Sequence, residues 1–230
     1  MSGVILYIVI LSPALILMAI AQIWIKWAFS TYSKMDLSSG LSGAEVAEAI
    51  LQANGIGDVT VEPVEGFLSD HYDPTEKTLR LSPDVYEGRS AASVAVAAHE
   101  VGHAIQHAVG YAPLAVRSFL VPLAQFGSFL WFPLVLLGMV LSFLNLALVG
   151  LAVFGVVALF QIVTLPVEFD ASRRALVEIQ RLGLVSPSEA TAAKNLLTAA
   201  ALTYVAAALQ SILTIIYYLI KLGVIGRRDD

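Results

Sequence analysis

Residues 118–167 contain no Asp, Glu, Lys or Arg. As one helix, about 50 residues rising 1.5 Å each would far exceed a hydrocarbon core of about 30 Å, which about 20 residues cross. The run therefore predicts two spans, Phe119 to about Leu141 and about Leu146 to Leu165, with Asn145 at the turn. Two more apolar stretches have spanning length, Val4 to Trp27 and Ala199 to Ile220. The first has no Lys or Arg before Lys26, and its core is too long for a signal peptide, so it reads as an uncleaved helix. Trp24 and Trp27 beside Lys26 form an interfacial anchor.

The composition agrees with a chain in contact with lipid. Of 230 residues, 58% are hydrophobic and only 13% charged, against roughly 25% charged in an ordinary soluble protein. The net charge of −5 argues against nucleic acid as a partner. With no cysteine, thiol catalysis, a disulfide framework and Cys-ligated zinc are all excluded.

Residues 30 to about 90 are polar enough to lie in water. Val46, Ile50 and Ala53 have helical spacing over Ala44–Ala53, and Asn54-Gly55 ends that helix. Val59-Thr60-Val61 reads as a short strand. Phe67-Leu68, His71-Tyr72-Asp73-Pro74 and Thr78-Leu79-Arg80-Leu81 read as strand, turn and strand, because Asp-Pro favours turns. Ser82-Pro83 starts a short helix. A longer Ala-rich helix starts at an N-cap near Ser90, runs to about His107 and closes at Gly110 and Pro113. After the third span a helix continues through Glu168 to Arg181 and ends at Gly183. Ser186-Pro187-Ser188-Glu189 matches a capping box ahead of the last helix.

The resulting fold class is a mainly α membrane protein, with four transmembrane helices and a small α+β domain. The chain divides into residues 1–29 (first span), 30–117 (the first polar segment), 118–165 (hairpin of two spans), 166–198 (the second polar segment) and 199–230 (fourth span and tail). Two spans separate the polar segments, so both lie on one side and the termini on the other. Lys34, Arg117, Arg173, Arg174, Arg181 and Lys194 flank spans on the domain side, against Arg227 and Arg228, with Lys221 at the border. The positive-inside rule then puts the domain side in the cytoplasm.

His99-Glu100-Val101-Gly102-His103 has the form HExxH. A spacing of four puts both imidazoles on one helix face, where they can share an ion. Zinc accepts imidazole nitrogen at about 2.0–2.1 Å, and a catalytic site keeps one position for water. Bound zinc lowers that water's pKa to about 7. Glu100, next to His99, can take the proton and later hand it to the leaving amine. A third protein ligand is needed. His107 stands about 12 Å along the helix from His99, too far to share one ion, so it reads as a supporting or surface residue. Glu168 is the better candidate. It begins the helix leaving the third span, while the HExxH helix lies shortly before the second, so both can meet just above the bilayer.

Ala98–Gln106 and Leu165–Ala175 resemble the YugP-type family of membrane zinc peptidases, as do Asp70-His71-Tyr72-Asp73-Pro74 and Leu79-Arg80-Leu81-Ser82. The resemblance extends from about residue 66 onward and implies a gluzincin-like peptidase. More distantly the chain is similar to HtpX-like and CAAX-prenyl endopeptidases, where spans also separate HExxH from a Glu ligand in an ExxxD motif. Glu168-Phe169-Asp170-Ala171-Ser172 departs from that pattern, with Ser172 at the Asp position. This leaves open which residue supports the imidazoles. Asp170, two residues from Glu168, faces elsewhere on the helix.

The sequence thus predicts a metalloendopeptidase holding one Zn2+ per chain on His99, His103 and Glu168, with Glu100 as general base. His71 and Tyr72 are candidate donors to the oxyanion, or else turn residues. Arg173 and Arg174 are candidate donors to the substrate carbonyl or to an acidic neighbour, or else anchors for anionic lipid head groups. The expected partners are the bilayer and membrane-associated protein or peptide substrates. These would be cut at the membrane surface as extended strands, along an exposed edge at Thr78–Ser82. The expected location is a prokaryotic plasma membrane. The alternatives are a site-2-type intramembrane protease, which keeps HExxH within a span, and a catalytically silent membrane scaffold.

Overall fold

The computed structural model describes residues 3–66 and 69–225. The described elements are α1 (Gly3–Tyr32), α2 (Gly43–Ala53), β1 (Thr60–Pro63), β2 (His71–Asp73), β3 (Thr78–Leu81), α3 (Pro83–Tyr86), α4 (Ala91–Ala108), α5 (Ala112–Val140), α6 (Leu144–Arg181) and α7 (Pro187–Lys221). Helices α1, α5, α6 and α7 are long and apolar enough to cross a membrane. The expected mainly helical membrane fold with a small sheet is therefore present. The expected strand at Phe67-Leu68 and the tail arginines Arg227 and Arg228 lie outside the described residues.

The chain divides into two compact units. One comprises Met1–Ile20, Val116–Leu165 and Leu202–Asp230, and the other Ala21–Ala115 and Pro166–Ala201. The first unit has a core of Leu11, Val135, Leu151, Tyr217 and Tyr218, and Phe119, Phe126, Phe129 and Val140 face outward. An outward apolar surface of that kind suits lipid rather than water. Helices α5 and α6 approach closely here, since a Cβ on Gly138 would lie 2.4 Å from the backbone nitrogen of Ala147. Small residues at such crossings let membrane helices gain van der Waals contact. The connection between them is 141–143, and Asn145 is already helical. That corrects the turn expected at Asn145: Ser142 adopts the left-handed conformation instead (φ 53°).

The second unit is built around α4. Helix α2 packs against it, and so do α3 and the sheet. The Ser42 hydroxyl accepts from the Glu45 backbone N–H, and Glu45 accepts from the Ser42 N–H at 2.6 Å, a capping box that starts α2. Ser90 caps α4 as expected. The box expected at Ser186 and Glu189 also forms, with the Ser186 N–H donating to Glu189 at 2.6 Å. Val46, Ile50, Leu79, Leu81, Val94, Val101 and Ile179 are fully buried and make the core.

The sheet order is β1-β3-β2, with β1 parallel and β2 antiparallel to β3. Two expectations change. His71-Tyr72-Asp73 is itself a strand, paired with Arg80, Leu79 and Thr78. The turn starts after it, where the Asp73 carboxylate accepts from the Thr75 and Glu76 N–H groups. Thr78–Leu81 is the central strand and offers no edge. Thr78, Leu79 and Leu81 are all buried, which only a strand covered on both sides achieves. The outer strands beside it are β1 and β2.

Candidate metal centre

Helix α4 presents one buried face of small residues, Ala91, Ala92, Ala95, Ala98 and Gly102. Small side chains let other elements approach its backbone. A Cβ on Gly102 would lie 2.5 Å from the Ala171 carbonyl oxygen, so α4 and α6 meet nearly backbone to backbone at that point. His99 and His103 stand within one turn of Gly102 on α4, and Glu168 within one turn of Ala171 on α6. The contact therefore sets the three side chains against one another.

One ligand atom each from His99, His103 and Glu168 lies within 4.8 Å of the others. His99 Nε2 is 3.2 Å from Glu168 Oε2, and His103 Nε2 is 3.8 Å from the same oxygen. Ligand atoms at about 2.05 Å around one tetrahedral ion stand about 3.4 Å apart, so the two separations bracket that value. The imidazole rings are T-shaped, with centroids 4.8 Å apart. Two imidazoles and a carboxylate, with both Nε2 atoms turned to one oxygen, fit a zinc ion.

Glu168 is 2% exposed and lies in the interior of α6, 24 residues after Leu144 by numbering. It does not begin a helix, as expected from sequence. Glu100 is buried beside the trio. Burial pushes its carboxyl above the ordinary value. Electrostatically His99 pulls it down, Glu168 and Asp70 push it up, and His71 pulls it down.

The other expected residues fall into two groups. The β2 group begins with Asp70, which accepts from the Ser82 N–H at 2.7 Å and the Ser82 hydroxyl at 3.0 Å, tying the start of β2 to the end of β3. His71 is exposed and its Nδ1 is 2.7 Å from the Ser69 carbonyl. A carbonyl only accepts, so Nδ1 carries a proton and Nε2 donates only when the ring is charged. The Tyr72 hydroxyl is engaged by His107 Nδ1 at 2.8 Å, and burial pushes its phenol up, keeping it neutral. His107 thus braces Tyr72 at the exposed end of α4.

The second group lies behind the imidazoles. Ser172 Oγ is 3.1 Å from His99 Nδ1. Gln106 Oε1 is 3.1 Å from His103 Nδ1, and Gln106 Nε2 donates to the Val167 carbonyl at 2.8 Å and to Asp170 at 3.0 Å. Asp170 also accepts from Arg173 and Arg174, each at 2.5 Å. Sequence reasoning singled out neither Gln106 nor Ser172 as a supporting residue. For Gln106 the signal was its place one turn past His103 on an Ala-rich helix, and for Ser172 its place four residues after Glu168.

The family model described as "Putative neutral zinc metallopeptidase" matches residues 7–223. The chain belongs to this family. A relative from Bacillus subtilis (strain 168), "Putative membrane protease YugP", is 46% identical over 213 residues, covering 93% of this chain and 95% of that protein. No solved structure matches. The family match spans α1 to α7, so HExxH on α4 and Glu168 on α6 both fall within it.

Proposed function

We infer that this chain is a zinc-dependent endopeptidase that cuts membrane or membrane-adjacent proteins. His99, His103 and Glu168 hold one Zn2+, and Glu100 is the general base. The convergence of two imidazoles and a buried carboxylate from two helices, with a second buried carboxylate adjoining, carries this reading. When bound, zinc supplies Lewis acidity, polarising the scissile carbonyl and acidifying the attacking water. Glu100 takes that water's proton and delivers it to the leaving amine. Its upward shift suits the task, because a base works best with a proton affinity near the operating pH.

The substrate lies extended along β2, the outer strand that packs against α4, and exchanges main-chain hydrogen bonds with it. His71, on that strand and felt electrostatically by Glu100, donates to the developing oxyanion in its charged form. The HExxH helix α4 is not among the four candidate spans, which favours cutting at the membrane surface over cutting within the bilayer. The cationic residues beside the spans favour a cytoplasmic site.

The test is zinc content and proteolysis of purified variants. His99→Ala and Glu168→Ala should lose most of the zinc. Glu100→Gln should keep it and lose activity by about 10²-fold or more. Full zinc in Glu168→Ala would show that the third ligand is wrongly chosen.

A further inference from the structure

The amide of Gln106 can be oriented from its neighbours alone. One end lies 2.8 Å from the Val167 carbonyl and 3.0 Å from Asp170 Oδ2. A carbonyl oxygen only accepts, and Asp170, clamped by Arg173 and Arg174, is an ionised acceptor as well. That end must be the NH2. The other end, 3.1 Å from His103 Nδ1, is therefore the oxygen. An amide oxygen only accepts, so Nδ1 must carry the proton. The neutral ring then has its lone pair on Nε2, the atom facing Glu168. Gln106 is 0% exposed, so water does not compete for these bonds.

His99 is supported differently. Its Nδ1 has the Ser172 hydroxyl at 3.1 Å. The carboxylate on this turn of α6 is Asp170, and through Gln106 it reaches the other histidine.

We propose that Gln106 is the positioning residue of His103: it fixes the metal-binding tautomer and couples the ring to the Asp170 carboxylate, while His99 relies on the weaker Ser172 hydroxyl. The proposal rests on the metal reading above. Partners of this kind orient zinc-binding imidazoles and raise their basicity, and losing one typically costs 10–100-fold in metal affinity.

The experiment uses the full chain in detergent, stripped of metal and titrated with zinc against a chromogenic chelator. Gln106→Leu and Gln106→Met should weaken zinc binding by about 10–100-fold, and Ser172→Ala by less. Ser172→Asp should tighten it, and should recover about tenfold when added to Gln106→Met. Because Ser172 faces His99 and not His103, that gain adds to the Gln106 loss without identifying its cause; the unfolding temperature of the metal-free chain does so, since a packing defect at position 106 would lower it and loss of the Nδ1 acceptor alone would not. Wild-type zinc affinity in either Gln106 variant would overturn the proposal, as would no gain from Ser172→Asp. A wild-type chain that takes up no zinc would instead overturn the metal reading itself.

Discussion

Replacing Gly102 by Ala sets two known effects against each other. In an exposed helix interior, Ala stabilises relative to Gly by about 0.8–1 kcal/mol. Here the new Cβ would sit 2.5 Å from the Ala171 carbonyl oxygen and 3.0 Å from the Ala171 Cα, where ordinary contact begins at 3.4 Å. The obstacle is backbone and cannot swing aside, so α4 and α6 must part by about 0.9 Å, the difference between contact and clash. Overpacking of this kind costs typically 1–3 kcal/mol, which outweighs the propensity gain. The larger consequence is for the metal. Parting the helices moves Glu168 away from His99 and His103, and metal–ligand distances tolerate only about ±0.2 Å. Gly102→Ala should therefore bind zinc at least ~10-fold more weakly and lose about 10²-fold in activity, with a modestly lower unfolding temperature in the metal-free state. Chelator competition and thermal unfolding in detergent measure the two effects separately. A variant that unfolds at a higher temperature and binds zinc like the wild type would refute the backbone-contact argument.

Three further outcomes follow from other regions of the molecule. Glu189 accepts from the Ser38 N–H at 2.7 Å, the Ser38 hydroxyl at 2.9 Å and the Ser186 N–H at 2.6 Å; Glu189→Ala should cost roughly 2 kcal/mol, read by denaturant unfolding, and no loss would mean water replaces these bonds freely. The chain has no cysteine, so a Cys introduced at Ser39 should resist a membrane-impermeant thiol reagent in intact cells while one at Asp229 reacts, and the reverse pattern would invert the orientation. One reporter peptide should be cut faster when held near the bilayer by a transmembrane anchor than when free at equal bulk concentration, and equal rates would count against a membrane-adjacent substrate.

The spans were legible because lipid imposes a simple rule. Long runs without charge have few alternatives, and residues 118–167 admitted only a hairpin. Capped helices were legible for a similar reason: Ser90 and the Ser186–Glu189 pair carry their own local chemistry. The sheet was harder. Its strands have three or four residues, too short for alternation to declare itself. His71-Tyr72-Asp73 becomes a strand only because Arg80, Leu79 and Thr78 lie opposite it. The edge was misplaced for the same cause, since strand order depends on pairing partners that no local pattern specifies.

In the centre itself, what could be read depended on how many helices share the information. The two histidines share one helix, and a spacing of four suffices to bring them together. Glu168 stands on another helix and was reached by elimination. Its competing explanation was a helix N-terminus favouring negative charge, and the continuous α6 removes that explanation, because Glu168 sits far from either end. A carboxylate only 2% exposed in a helix interior needs partners to offset its lost hydration. His99 Nε2 and His103 Nε2 lie 3.2 Å and 3.8 Å from one of its oxygens, and an imidazole with its proton on Nδ1, as the Gln106 oxygen requires of His103, turns a lone pair toward it. Imidazole nitrogens and a carboxylate facing one point are a donor set that suits a divalent cation. The burial of Glu168 beside two imidazoles therefore adds a physical argument for a metal here to the one that the HExxH spacing gives.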